Sequence, residues 1–331
     1  MQITRQKTGV SSRSALVLLI TTLLVIAFAG AACAPAPAPA PTPVPPTQVK
    51  PTVVVAAPPT AVPTIAPTQV VVKFDIKATL DKYVTTLPDG FGGIQPAGLK
   101  DQLATTKPFI LDVREPGEIA QNGFIEGAVN IPLRTLTKNL DKLPAQDKPI
   151  ITVCPGGQKG GIAMTVLQVL GYSKVKNLVG GFNAWKAAKL PIATGTPPAP
   201  VAGQAPNVDR DLFAAVDKYV TTLPDGFGAI QPAGLQDLIA AKKVAVIDVR
   251  DASEVAQKGK IEGSINVPLR TLVANLDKLP ADKGAPIVTY CPVGQKGVIA
   301  MTVLQLLGYT NVKNLLGGFN AWTAASLPVV K

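Results

Sequence analysis

The 331-residue chain contains no histidine. That absence removes Ser–His–Asp triads, Cys–His nucleophile pairs and H-E-x-x-H metal sites. Only three cysteines occur, and none stand as C-x-x-C, so no metal site is expected. Aromatic residues make up just 5 % of the chain, and no Lys/Arg stripe is interleaved with them. The net charge of +11 therefore does not point to nucleic acid; a mild positive bias suits small anionic substrates instead. Any cysteine chemistry has to be activated by backbone dipoles and by Lys or Arg.

What is present is a duplication. Cys154-Pro-Gly156-Gly157-Gln158-Lys159-Gly160 returns as Cys291-Pro-Val293-Gly294-Gln295-Lys296-Gly297. Asp81–Gly92 returns unchanged as Asp217–Gly228. The period is far longer than that of solenoid repeats, so two tandem domains are expected.

Ahead of them, Arg5, Lys7 and Arg13 precede an apolar run, Ala15 to Ala29, and then Gly30-Ala-Ala-Cys33. This reads as a signal peptide over 1–32, resembling the bacterial lipoprotein type with Cys33 as the lipidated residue. Gly30 stands where such signals usually carry Leu. Residues 33–72 are rich in Pro, Ala and Thr and nearly uncharged, which predicts an extended stalk rather than a core. The resulting expectation is a membrane-anchored, extracytoplasmic protein. Its parts are a first domain over 73–193, a Pro/Gly/Ala linker over 194–207 and a second domain over 208–331.

Within copy one, Asp75 to Leu87 has helical spacing. Phe109 to Val113 and Ile150 to Val153 are short continuous apolar runs, as in strands covered on both faces. Gly161 to Leu170 reads as a helix, Val175 to Val179 as a strand, and Ala184 to Lys189 as a helix capped by Asn183. Such alternation predicts an α/β fold in each copy, a parallel sheet flanked by helices on both faces. A cysteine ending a strand before a Gly-rich turn and a helix start can hold an anionic sulfur in a ring of N–H groups.

Together these segments resemble the rhodanese-like (sulfurtransferase) family. Asp112-Val-Arg114, Glu118 and Gly123-Phe-Ile-Glu-Gly127-Ala-Val-Asn130-Ile-Pro132 look like its first signature, mirrored by Asp248-Val-Arg250, Glu254 and Gly259 to Pro268. Each cysteine has Lys five positions on and Ala nine on. The closing signature is Gly171-Tyr172, Leu178-Val-Gly180-Gly181 and Ala184-Trp185, with its counterpart ending in Ala321-Trp322. The resemblance implies that Cys154 and Cys291 are nucleophiles. It also implies that the six-residue loops 154–159 and 291–296, with Gly160 and Gly297 behind them, cradle the substrate. The family's usual loop serines are replaced by Gly156 and Gly160, or Val293 and Gly297, and Pro155 and Pro292 supply no N–H.

The expected reaction moves a sulfane sulfur from a small anionic donor such as thiosulfate, through a cysteine persulfide, to a thiol or cyanide acceptor. No cofactor is implied. Arg134 and Arg270, in matching Pro-Leu-Arg-Thr-Leu segments, are candidates for the cleft. Arg114 and Arg250 read as internal ion-pair partners or surface charges rather than substrate contacts, and Trp185 and Trp322 as core anchors. Two alternatives stand beside this reading. One is a non-catalytic module that binds or senses sulfur species. The other, ranked behind it, is a cysteine phosphatase or arsenate reductase, whose longer loop and sixth-position Arg are absent here.

Overall fold

A computed structural model describes residues 74–331. The expected signal, the stalk and Cys33 lie outside them. Copy one opens at Asp75, whose carboxylate accepts the N–H groups of Lys77 and Ala78 at 2.8 and 3.2 Å and caps α1 (Ile76–Thr85). It continues through β1 (Gly93–Ile94), α2 (Pro96–Ala104), β2 (Phe109–Asp112), α3 (Pro116–Asn122) and β3 (Val129–Asn130). A 3-10 stretch, Leu133–Lys142, leads into β4 (Ile150–Val153), α4 (Gln158–Val169), β5 (Val175–Leu178) and α5 (Gly181–Ala187). Copy two follows the same course: α6 (Arg210–Thr221), β6 (Ala229–Ile230), α7 (Pro232–Ala240), β7 (Ala245–Asp248) and α8 (Ala252–Lys258). The short strands β8 (Lys260–Ile261) and β9 (Ile265–Asn266) precede 3-10 segments at Leu269–Thr271 and Val273–Lys278. Then come β10 (Ile287–Tyr290), α9 (Gln295–Leu306), β11 (Val312–Leu315), α10 (Gly318–Ala324) and β12 (Val329–Val330). Among the described residues, no helix is long and apolar enough to cross a membrane.

Each copy builds a parallel five-stranded sheet, ordered β1-β5-β4-β2-β3 and β6-β11-β10-β7-β9. In copy one β4 lies in mid-sheet with Val153 level with Asp112, so Cys154 stands one residue past the strand's C-terminal end. That edge is where open α/β sheets place their chemistry.

Alternate strand residues serve two different cores. Ile110 and Ile151 face a private layer with Leu99, Phe182 and Trp185, while Leu111 and Ile150 face α1 and α4. The second layer is shared. Leu80, Val84, Ile162 and Val166 of copy one belong to the same cluster as Leu272, Val273, Ile299 and Val303 of copy two. Helix α1 packs on the other copy's 3-10 segments, and α6 packs on Leu133–Lys142. Thr137 Oγ1 donates to Asp217 at 2.6 Å across this seam. At Gly161 a Cβ would collide with Val298, so α4 and α9 meet closely there. The two copies thus pack as one body rather than swinging on their linker. The linker itself is tied down where Gly203 N–H donates to Asp141 O at 2.7 Å.

Arg114 is 1 % exposed and its Nε donates to both carboxylate oxygens of Asp112 at 2.9 and 3.0 Å. Its guanidinium also reaches Gly123 O at 2.9 Å and stacks 4.1 Å from the Phe182 ring centre. Arg250 repeats the arrangement with Asp248, Gly259 O and Phe319. Trp185 is buried with its indole N–H on Pro191 O. One helix start differs from the sequence reading: α5 begins at Gly181 behind Gly180, at φ +71°, not behind Asn183. The left-handed turn that only glycine adopts cheaply sets this start.

Candidate functional site

The turn from β4 to α4 carries the candidate nucleophile, Cys154. Gly157, at φ +95°, is the cap residue of α4, and its N–H donates to Cys154 Sγ at 3.1 Å. The N–H groups of Gly156 and Gly160 also act on this sulfur, as those of Val293, Gly294, Lys296 and Gly297 act on Cys291. Loop amides therefore favour an anion on each sulfur even though Pro155 and Pro292 add none. The back of the Cys154 loop is held by the next helix start: Phe182 N–H donates to Cys154 O at 2.7 Å and Asn183 N–H to Pro155 O at 2.9 Å. At Gly181, φ +59°, a Cβ would sit inside the Cys154 carbonyl, which explains the Gly180-Gly181 pair.

One of the two absent serines of each loop is also explained. A side chain at Gly160 would run into Asn177 Oδ1, and one at Gly297 into Asn314 Oδ1. The asparagine of the following strand occupies that space. Thr152 Oγ1 fixes Gly160 O at 2.8 Å, and Thr289 Oγ1 fixes Gly297 O at the same distance.

Both cysteines are free thiols, each 1 % exposed. Burial pushes the Cys154 thiol above its ordinary value, outweighing the N–H groups of Gly160 and Gly157, the charge of Lys159 and the N–H of Gly156. Burial likewise raises Cys291 against its four loop N–H groups. Burial thus favours the neutral form of both thiols at rest, against the anionic sulfur that the loop pattern suggests. Desolvation was the quantity that composition and spacing did not carry.

The lysines are paired. Lys159 Nζ lies 2.6 Å from Glu118, and Lys296 Nζ lies 2.8 Å from Glu254 and 3.3 Å from Asp251. Burial works to raise the Glu118 and Glu254 carboxyls, but the hydrogen bonds and charges of these lysines and the capping N–H groups outweigh it and hold them below the usual range. Burial works to lower Lys296, yet Glu254 and Asp251 carry its pKa upward. These carboxylates were visible only as a family signature and as capping boxes, Glu115 with Glu118 and Asp251 with Glu254. Lys159 answers to one carboxylate and Lys296 to two, so Cys154 feels the stronger cation. Alkylation of either cysteine by iodoacetamide is expected to be slow at pH 7 and to rise with pH through a midpoint above the ordinary thiol value, Cys154 before Cys291. Rates resolved by peptide mass check the order. The same raised values mean that the stabilisation from buried neutral thiols is complete below the ordinary thiol value and is lost as pH climbs through the raised one.

The two loop glutamines do not face the sulfur. Gln158 Nε2 donates to Phe227 O at 2.8 Å and its Oε1 accepts from Asn314 Nδ2 at 2.8 Å. Gln295 does the same with Phe91 O at 3.0 Å and Asn177 at 2.8 Å. As substrate contacts they are corrected to links between the copies. Arg134 and Arg270 also reach across, Arg134 to Leu223 O at 2.9 Å and Asp225 at 3.0 Å. Arg270 binds Leu87 O and lies 3.3 Å from Asp89. The cavity between the two loops holds about 20 Å³, enough for one water and no substrate.

A strand-end cysteine facing loop amides, on a parallel sheet and present twice, defines a pair of α/β domains with matching candidate sites. The chain belongs to the rhodanese-like domain family, which matches residues 95–188 and 231–325. It is 35 % identical over 100 residues to a sulfurtransferase of Allochromatium vinosum, spanning 30 % of this chain and 92 % of that protein. A thiosulfate sulfurtransferase of Azotobacter vinelandii is 23 % identical over 268 residues, covering 69 % of this chain and 93 % of its own. Among solved structures, a rhodanese-related protein of Thermoplasma volcanium is 31 % identical, covering 31 % of this chain and 96 % of its own with a TM-score of 0.28. The family's sulfurtransferases place this chain with the transferases of sulfur in general.

Proposed function

We propose that the protein is a thiosulfate sulfurtransferase-like enzyme with a nucleophile in each copy, Cys154 and Cys291. The supporting observation is the set of loop N–H groups turned toward each sulfur, which favours an anion there. A thiol that has lost its proton to solvent attacks the outer sulfur of thiosulfate. The new Cys S–S bond forms as the S–S bond of thiosulfate breaks, and sulfite leaves with the bonding pair. The persulfide anion keeps the same amide donors. Cyanide or a thiolate then attacks the terminal sulfur and returns the cysteine thiolate. Neither step calls for a metal or organic cofactor. Gly156, Gly157 and Gly160 line the first ring through their N–H groups, and Val293, Gly294, Lys296 and Gly297 line the second.

Purified protein given thiosulfate and cyanide is expected to form thiocyanate with many turnovers. No thiocyanate, together with phosphate release from an aryl phosphate, would move it to the cysteine phosphatases. Neither product would favour a module that only binds sulfur species. The leader motif supports a lipid anchor at Cys33 that displays both domains on the extracytoplasmic side of a membrane.

A further inference from the structure

Each reactive loop is covered by a piece of the other copy. Lys159, the cation whose charge bears on Cys154, has Glu118 of its own α3 on one side and the Phe227 ring on the other, 5.2 Å from Nζ to the ring centre. Arg134 shares that ring, its Cζ 4.7 Å from the centre, and grips Asp225 beside it. In the second site Lys296 lies between Asp251, Glu254 and the Phe91 ring, 4.9 Å away, with Arg270 5.1 Å from the same ring. Both rings ride on the repeated Leu-Pro-Asp-Gly-Phe-Gly turn, and both phenylalanines sit at φ +51°, a left-handed conformation costly for a bulky residue. Such a conformation persists where surroundings hold it. Here the holder is the loop glutamine of the opposite site, Gln158 on Phe227 O and Gln295 on Phe91 O.

We infer that Phe227 and Phe91 are positioning residues supplied in trans: each orients the loop lysine of the other copy, so neither copy holds a complete site alone. The ring's negative face balances the cation against its carboxylate, and the glutamine that fixes the turn belongs to the reactive loop itself. This assignment deepens the sulfurtransferase reading and rests on it for its catalytic meaning.

The test uses the full chain. Phe227→Ala is expected to slow iodoacetamide alkylation of Cys154 about fivefold near pH 8, leaving Cys291 unchanged, and Phe91→Ala is expected to slow Cys291 alone, by a smaller factor. Phe227→Tyr keeps an aromatic face and restores the rate, whereas Phe227→Leu fills space without one and does not. Loss confined to the mutated copy's own cysteine, equal loss at both, no loss, or full rescue by Leu would overturn the assignment. In a Cys291→Ser background Phe227→Ala should lower thiocyanate formation by the same factor. Wild-type protein that forms no thiocyanate would sink the sulfurtransferase reading, while the alkylation pattern still decides the trans role.

Discussion

Replacing Cys154 and Cys291 together by serine is expected to end thiocyanate formation, a fall of ~10⁴-fold or more. Serine is nearly the same size and its Oγ still meets the Gly157 N–H, which lies 3.1 Å from Sγ in the native loop. The fold therefore survives and only the nucleophile changes. A serine hydroxyl stays protonated at any working pH and makes a poor attacker of sulfur, so the amide ring has no anion to hold. The single variants are unequal. Lys159 is held by Glu118 alone, while Lys296 is shared by Glu254 and Asp251. Cys154 thus keeps more help from its cation, and Cys291→Ser should retain more turnover at neutral pH than Cys154→Ser. Thiocyanate release by the three variants measures this directly, and turnover persisting in the double variant would remove both cysteines from the mechanism.

Arg114→Met is expected to cost about 3–5 kcal/mol, because Asp112 is left 1 % exposed with no cation. A fall of ~10 °C or more in Tm follows. The damage reaches the reactive loop: Arg114 stacks on Phe182, whose N–H donates to Cys154 O. Exchanging both partners, Asp112→Leu with Arg114→Met, should recover most of the stability, since two apolar side chains leave no buried charge. Arg250 and Asp248 should behave alike in copy two, where both side chains are fully buried. Chemical denaturation of the single and double variants checks both statements; a single variant as stable as wild type would contradict them.

Much of the candidate site's backbone layout was readable from residue order alone. An apolar run ending in Cys154, then glycines, then a helix, allows few arrangements, and its return at Cys291 doubles the constraint. The central strands Phe109–Asp112 and Ile150–Val153 follow from continuous apolar runs. Helices α2 and α3 were not anticipated because each buries few residues, Leu99 in one and Ile119 in the other, leaving too little periodicity to read. Helix α4 starts at Gln158, three residues before the expected Gly161, because Gly157 supplies the left-handed cap. What periodicity cannot say is which surface an apolar face meets. Leu80 and Val84 mark α1 as amphipathic, yet part of their cover comes from the other copy. Phe91 and Phe227 had one available signal, the identity of Asp81–Gly92 and Asp217–Gly228, a turn with no evident chemistry kept letter for letter. The preference for neutral thiols at rest had none, since burial of Sγ emerges only from the closed loop.

Intact-mass measurement after brief exposure to thiosulfate tests the central claim most directly. Wild-type protein should gain two sulfur atoms, each single Cys→Ser variant one and the double variant none, all reversed by cyanide. A wild-type mass that does not change, or a sulfur retained by the double variant, would contradict persulfide formation at Cys154 and Cys291.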